Sequence, residues 1–176
     1  MEILADSVAE AIINAPIEKI NLSEWLFTLK DHEYQECSPG HIAGGTSFFK
    51  DGKLMSINVE KIADNLLVQH YVEDISTKDH CRVNSNSDSF SPLGQTKLGV
   101  TWELHVEKLS DTSCKLFNRV IVLLTDEFSL LLQRANIIDL TPVKTRMKEN
   151  AGAHNKEETP FFAKDIERKA VKGIWA

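Results

Sequence analysis

The chain has 176 residues, of which 42% are hydrophobic and 26% charged, and its formal net charge is −6. These values are typical of one globular domain with a proper core. Since no cluster of Lys and Arg stands out, we expect no nucleic-acid partner. The longest apolar runs, such as residues 120–124, are too short to predict a membrane span.

Two further features of the sequence bear on the compartment. The first ten residues carry early acidic side chains and no basic stretch ahead of an apolar one, so we do not interpret them as a signal peptide. The three cysteines, Cys37, Cys81 and Cys114, are an odd number at no metal-binding spacing. They are typical of reduced thiols, and we therefore expect a cytoplasmic protein.

The N-terminal segment predicts a strand followed by helices. Residues 2–13 have the pattern of a first strand, which Asn14-Ala15-Pro16 ends. Pro16 suits the first turn of a helix. Apolar residues at 17, 20, 25 and 29 follow at roughly helical spacing, which Asn21-Leu22-Ser23 could interrupt. A short second helix is predicted from Asp31 to Cys37, before Ser38-Pro39-Gly40.

Six strand-like segments follow between His41 and Leu124, each closed by a turn. They cover residues 41–49, 53–62, 66–75, 80–90, 96–109 and 114–124. Asp51-Gly52 is a strong two-residue hairpin signal between the first two segments. Even spacing and short connections predict an antiparallel meander.

Alternation of apolar and polar residues indicates which face of each segment is buried. The clearest face, in the segment 96–109, holds Leu98, Val100, Trp102, Leu104 and Val106. The buried faces of the segments 53–62 and 66–75 are predicted to hold Ile57 and Val59, and Leu66, Val68, His70 and Val72. Residues 81–89 are unusually polar, which indicates either an edge strand or a strand that lines a wet cavity.

The C-terminal part predicts helices. Thr125-Asp126-Glu127 is typical of a helix start, with a capping Thr and acids in the first turn. Thr141-Pro142 and Thr159-Pro160 each have the pattern of an N-cap followed by proline. We predict two or three helices, or one long helix kinked near Pro142, with a loop over residues 151–158.

This order of elements, together with the opening Ile12-Ile13-Asn14-Ala15-Pro16-Ile17-Glu18-Lys19-Ile20, resembles the START-like, or Bet v 1-like, helix-grip superfamily (SRPBCC, polyketide cyclase-like). The resemblance covers roughly residues 2–150. It implies an α+β fold in which a curved seven-stranded antiparallel sheet wraps around a C-terminal helix and encloses an apolar cavity. We place the START-like helix-grip domain at residues 1–150 and interpret residues 151–176 as a C-terminal helical extension of it.

Four residues are candidates for contacting a ligand in that cavity: His70, Tyr71, Trp102 and Asn118. His70 is predicted to point inward, where it could hydrogen-bond a ligand or move a proton. It could also be a core histidine, because a slip of one residue exchanges the faces of a strand. Tyr71 is a weaker acid–base candidate. Trp102 could stack on a ligand or fill the core, and Asn118 could present its amide to a ligand or serve the structure.

We predict no metal site and no cofactor. The histidines at 32, 41, 70, 80, 105 and 154 form no close ligand pair, and only a metal site assembled from distant residues stays open. Cys37 and His41 resemble a thiol near an imidazole, although spacing alone does not make a nucleophile. Residues 154–160, which begin with His154, either cap the last helix or contribute to a cavity rim. Capping is the more economical interpretation.

The leading functional hypothesis is binding of a small hydrophobic or amphipathic molecule. A polyketide cyclase/aromatase-like enzyme is one alternative, with catalysis undecided. The other is a non-catalytic interaction protein that uses the C-terminal extension, which could pack on its own sheet or cover a second copy in a homodimer. The apolar content of the extension suggests these two alternatives. Its apolar residues are Phe161, Phe162, Ile166, Val171, Ile174 and Trp175.

Overall fold

A sheet of antiparallel hairpins wrapped over one long helix organises the chain. The computed structural model describes residues 2–175, and within them the chain forms seven strands, four α-helices and one 3-10 turn. The strands are β1 (Ile3–Ile13), β2 (His41–Phe48), β3 (Leu54–Ile62), β4 (Asn65–Ser76), β5 (His80–Ser91), β6 (Gly94–Ser110) and β7 (Ser113–Leu123). The helices are α1 (Leu22–Thr28), α2 (Asp31–Gln35), α3 (Asp126–Arg134) and α4 (Thr141–Val171), and the 3-10 turn is Ile17–Lys19.

All neighbouring strands pair antiparallel, in the order β1-β7-β6-β5-β4-β3-β2. The strands β2 to β7 therefore form the predicted meander, and β1 adds to it beside β7. Gly52, in the turn between β2 and β3, has φ +86°, a conformation that glycine adopts without steric penalty. The predicted α+β architecture, a seven-stranded antiparallel sheet with a C-terminal helix, is confirmed.

Apolar side chains of α4 complete the core between the helix and the sheet. Phe162 and Ile166 are fully buried. The ring of Phe162 lies 5.2 Å from the ring of Trp25 in α1 and 5.6 Å from that of Trp102 in β6, measured between centroids. The same helix thus packs against both the N-terminal helices and the middle of the sheet.

The C-terminal tail divides between the core and the surface. Phe162 and Ile166 pack on the chain's own sheet, whereas Phe161, Val171 and Ile174 are 47%, 66% and 53% exposed. A role of these exposed side chains in a homodimer stays a prediction. None of the helices within residues 2–175 combines the length and the apolar composition that a membrane span requires.

The predicted loop over residues 151–158 and the predicted helix start at Thr159-Pro160 are wrong, because α4 runs through both. Residue 150, where we placed the end of the main unit, lies inside this helix. Polar side chains beside the interior proline bond to the helix and to the sheet: the Thr159 hydroxyl donates a hydrogen bond of 2.5 Å to the Asn155 backbone carbonyl and accepts one of 3.0 Å from the Asn118 amide. The Asn155 amide in turn donates to the Asn118 carbonyl of β7 at 3.0 Å. Tertiary contacts therefore outweigh the local preference to end the helix.

The faces predicted for β3 and β4 are reversed. Ser56, Asn58 and Glu60 of β3 and Leu67, Gln69 and Tyr71 of β4 are the buried residues on these strands. Their apolar neighbours lie half-buried on the outer face, where Val59 pairs with Val68 and Ile57 pairs with His70. β-Branched residues that pack across neighbouring strands thus mark the outer side here. The predicted inward orientation of His70 is wrong by this one-residue shift.

The polar strand β5 lies between β4 and β6, so its interpretation as an edge strand is wrong. Ser85, Ser87 and Ser89 are buried on the face that alternates with exposed Asn84 and Asn86. The other interpretation, a strand that lines a wet cavity, stays a prediction. In β6 the predicted buried face from Leu98 to Val106 is confirmed.

A buried ion-pair cluster joins the end of α4 to α2 and α1. The ammonium of Lys169 lies 2.8 Å from a Glu33 oxygen and 2.9 Å from an Asp165 oxygen. The indole N–H of Trp25 donates to Asp165 at 2.9 Å. Lys169 itself is only 5% exposed, so its charge depends on these two carboxylates.

We expect Lys169→Met to lower the free energy of unfolding by roughly 3 kcal/mol, because it removes the buried cation between Glu33 and Asp165 and leaves the exposed Arg168 as their cationic partner. Urea denaturation followed by circular dichroism measures this loss. Lys164→Met, at an exposed position of the same helix, is the matched control and should change stability by less than about 0.5 kcal/mol. Equal effects of the two substitutions would contradict the role of the cluster.

The same cluster predicts sensitivity to acid. Burial raises the pKa of Asp165, but hydrogen bonds from Lys169, Arg168 and Trp25 outweigh it and hold the pKa below the ordinary 3.8. Glu33 is likewise held below its ordinary 4.5, since Lys169 and the Lys30 backbone outweigh burial.

A carboxyl whose pKa is depressed on folding stabilises the protein above its unfolded-state pKa, and this contribution disappears as the pH falls through the folded-state pKa. Asp165→Asn should therefore flatten the fall of stability below the ordinary pKa of 3.8. Urea titrations at stepped pH values measure that slope. A variant whose slope in this range equals that of the wild type would disprove the assignment.

Candidate functional site

Four ligand-type side chains meet where the β2–β3 edge of the sheet faces α4. His41 and Glu60 are direct partners across the β2–β3 ladder. His154 and Glu158 lie four residues apart in α4 and hence on one side of that helix. Two pairs from distant parts of the chain thus form one cluster, here called the His–Glu cluster.

The distances within the His–Glu cluster are short and similar. The Nε2 atom of His41 lies 3.3 Å from Nε2 of His154, 3.1 Å from Oε2 of Glu158 and 3.6 Å from Oε2 of Glu60. The Nε2 atom of His154 lies 3.2 Å from Oε2 of Glu60 and 3.3 Å from Oε2 of Glu158. These four atoms therefore enclose a small volume between the sheet and the helix.

Neighbouring groups hold the members of the cluster in place. The Nδ1 atom of His41 is 2.7 Å from the Tyr34 carbonyl, and the Tyr34 ring stacks on the His41 ring at 3.8 Å. The Tyr34 hydroxyl donates to Oε2 of Glu60 at 2.9 Å, and the Gln69 amide donates to Oε1 at 2.8 Å. These contacts restrict both the rotation of His41 and the orientation of Glu60.

Contacts within the cluster shift the pKa values of His154 and Glu158. Burial lowers the pKa of His154, but hydrogen bonds with Glu158 and Glu60 outweigh it and raise the pKa to about 10. Burial raises the pKa of Glu158, but hydrogen bonds with His154 and His41 hold it below its ordinary value. The two carboxylates thus favour positive charge at the point where the side chains meet.

An inner cavity of about 60 Å³ lies beside the cluster, and Glu60, His154 and Glu158 form part of its wall. Tyr71 and Trp102 also line it. Gln69 is another wall residue, and its buried Oε1 atom has no hydrogen-bond partner among residues 2–175. The cavity therefore offers a free acceptor to a water molecule or a ligand.

A second space, the outer pocket, has a volume of about 500 Å³ and lies between the β5–β6 hairpin, α3 and the start of α4. Most of its wall is apolar, with Leu93, Leu98, Phe128, Leu132, Val143 and Met147 among its lining residues. Leu98 belongs to the walls of both spaces. The outer pocket and the inner cavity are therefore neighbours on either side of this residue.

The structure separates the four predicted ligand contacts. Tyr71 and Trp102 line the inner cavity, whereas His70 lies on the opposite face of β4. Asn118 is fully buried, accepts from the Trp102 indole at 2.8 Å and donates to Glu158 at 3.1 Å. Its amide serves the structure, and contact of Tyr71 and Trp102 with a ligand stays a prediction.

Sequence reasoning noted His41 and His154 but did not connect them, and it singled out neither Glu60 nor Glu158 for binding. Two signals could have found them. The spacing of His154 and Glu158 is i, i+4, which places both on one face once the segment is read as a helix. Glu60 continues the period-two row of Ser56 and Asn58, which reveals a polar inner face of β3.

Cys37 and His41, whose spacing resembles a thiol near an imidazole, bond to different partners in the structure. The Cys37 thiol donates to the Glu33 carbonyl at 3.2 Å, and the ring of His41 points to Tyr34 and the cluster. Burial raises the pKa of Cys37 to about 12, so the thiol stays protonated near neutral pH. The cysteines at 37, 81 and 114 are all free and buried.

Asn118→Leu should lower the free energy of unfolding by roughly 3 kcal/mol, because the indole N–H of Trp102 and Oε1 of Glu158 lose their buried partner. Thermal and urea denaturation measure this change. Asn84→Leu provides the control, since Asn84 lies on the exposed face of β5. If both variants lost the same stability, the inner amide would not have the role assigned to it.

No family model matches the sequence, and no curated protein matches it significantly. Solved structures do match. The Zhui aromatase/cyclase from Streptomyces sp. R1128 superposes with a TM-score of 0.64 at 10% identity, over 93% of this chain and 94% of that one.

Two further structures cover almost the whole chain. A START superfamily protein from Mycobacterium smegmatis has a TM-score of 0.57 at 13% identity, over 95% of this chain and 97% of its own. A conserved protein from Geobacillus kaustophilus has a TM-score of 0.52 at 10% identity, over 93% and 96%. The resemblance noted in the sequence is thus confirmed for the fold: the chain has the START-like helix-grip fold.

Proposed function

We propose that this protein binds a small amphipathic molecule, with the apolar part in the outer pocket and a polar group directed toward the inner cavity. The observation that carries the proposal is the outer pocket, whose volume of about 500 Å³ falls within the range of small-molecule sites. The inner cavity alone, at about 60 Å³, accommodates only water or a small group.

The chemistry of the two spaces supports an amphipathic ligand over a purely apolar one. Phe128, Leu132 and Met147 offer the ligand an apolar wall in the outer pocket. At the inner end, Gln69 has an unpartnered acceptor, and Tyr71 has a hydroxyl that burial keeps protonated by raising its pKa well above 10. A ligand with one polar end would satisfy these groups while burying the rest of its surface.

The enzyme alternative has lost its predicted acid–base group, because His70 lies outside the inner cavity. Similarity of fold to an aromatase/cyclase does not select catalysis, since one fold hosts many activities. We therefore propose binding rather than turnover. The polyketide cyclase-like activity, the homodimer and the cytoplasmic location remain predictions.

Binding of 8-anilinonaphthalene-1-sulfonate and of a series of linear fatty acids tests the proposal. Val143→Trp fills the outer pocket, so it should weaken binding of these probes by about tenfold or more, which equals about 1.4 kcal/mol. Fluorescence titration gives the dissociation constants. Thermal shift confirms that the probes bind the folded state, since such binding raises the melting temperature.

Leu130→Trp is the matched control, because Leu130 is an exposed residue of α3. It should leave probe binding at the wild-type level. Failure of every amphipathic probe to bind the wild type would refute the proposal. Equal loss of affinity in the two tryptophan variants would move the binding site away from the outer pocket.

A further inference from the structure

We propose that His41, Glu60, His154 and Glu158 form a binding site for a divalent transition-metal ion, with Zn²⁺ as the best match. The ion would join β2 and β3 to α4. The proposal does not rest on ligand binding in the outer pocket, and three of these four residues also form part of the wall of the inner cavity. It also differs from our expectation from spacing, which foresaw no metal site.

The His–Glu cluster has a size that suits a metal ion. Five separations among the four ligand atoms run from 3.1 to 3.6 Å, and all four atoms lie within 4.8 Å of one another. In a regular tetrahedron with 3.3 Å edges, the centre is about 2.0 Å from each corner. That length is the usual distance from Zn²⁺ to histidine nitrogen and carboxylate oxygen. The five separations therefore match the edges of a four-coordinate zinc site.

The lone pair on Nε2 of His41 points toward the other members of the cluster. The Nδ1 atom of His41 lies 2.7 Å from the Tyr34 carbonyl, which can only accept, so Nδ1 carries a hydrogen. In the neutral ring this places the lone pair on Nε2, which faces the other three members of the cluster. A histidine whose other nitrogen donates to a backbone carbonyl is the usual arrangement of a metal ligand.

Neighbouring side chains orient the two carboxylates of the cluster. Oε1 of Glu60 accepts from Gln69, and Oε1 of Glu158 accepts from Asn118, so both Oε2 atoms are turned toward the centre. Partners of this kind fix metal ligands and raise affinity. The two carboxylates also carry the charge that a divalent cation would neutralise in a buried place.

Without a metal ion, two protonation states of the cluster leave like groups facing each other. If both imidazoles were charged, two N–H groups would face each other across 3.3 Å between His41 and His154. If His41 were neutral, its lone pair would face the Glu158 oxygen at 3.1 Å. One cation at the centre resolves both conflicts, because all four lone pairs can point to it.

Metal binding to the purified full-length chain tests the proposal. After chelator treatment and desalting, the protein is titrated with Zn²⁺, Co²⁺ or Mg²⁺ alone. We expect one Zn²⁺ per chain by mass spectrometry of the metal, a higher melting temperature with Zn²⁺ but not Mg²⁺, and the intense visible absorption of tetrahedral Co²⁺. Wild-type protein that retains neither Zn²⁺ nor Co²⁺ would overturn the proposal.

Variants locate the site. Glu158→Gln should abolish the Co²⁺ absorption, and Tyr34→Phe, which removes only the hydroxyl on Glu60, should weaken Zn²⁺ affinity about tenfold. His80→Gln is the control, because His80 pairs with Glu103 outside the cluster. Circular dichroism checks that each variant folds, and His154→Gln replaces Glu158→Gln if the latter does not. Equal loss of Co²⁺ absorption in the control and in the cluster variant would assign the metal to another place and overturn the proposal.

Discussion

The pairing of buried polar groups between α4 and the sheet is the constraint on which the rest of the structure depends. A helix that covers the concave face of the sheet removes Glu60 and Asn118 from water, and each such group destabilises the protein unless it finds a partner. Glu158 and Thr159 of α4 meet Asn118, and His154 meets Glu60. Apolar contacts such as that of Phe162 with Trp102 favour docking of the helix, whereas the polar contacts select one position along its axis.

A short segment that runs from α2 to the first residue of β2 makes many of these polar contacts. Glu33 binds Lys169 and Arg168 near the end of α4, while Ser38 donates to Glu157 at 2.7 Å. His41, at the start of β2, then contacts His154 and Glu158. These residues lie close together in sequence, and their contacts hold one side of α4 in place over several turns. The outer pocket lies toward the other end of α4, where the helix faces α3 and the β5–β6 hairpin.

Sequence reasoning predicted the order of the elements and the meander, because turn residues and strand alternation act locally. The same reasoning reversed the faces of β3 and β4, where apolar residues such as Val59 and Val68 pair on the outside. It also placed a loop over residues 151–158 and a new helix start at Thr159-Pro160, since the tertiary bonds of Asn155 and Thr159 with Asn118 have no local signature. The His–Glu cluster was not predicted from the sequence for the same reason: its two halves are separated by more than ninety residues along the chain.

The separation of those halves has a consequence for synthesis of the chain. Residues 3–123 supply all seven strands, but the inner face of the sheet gains its cover from α4 only after residues 141–171 have been synthesised. Until then the nascent sheet presents that face to water. The serines of β5 and the amides of β3 and β4 make it far more polar than an ordinary core face. A more polar inner face lowers the tendency of such an intermediate to aggregate before α4 packs against it.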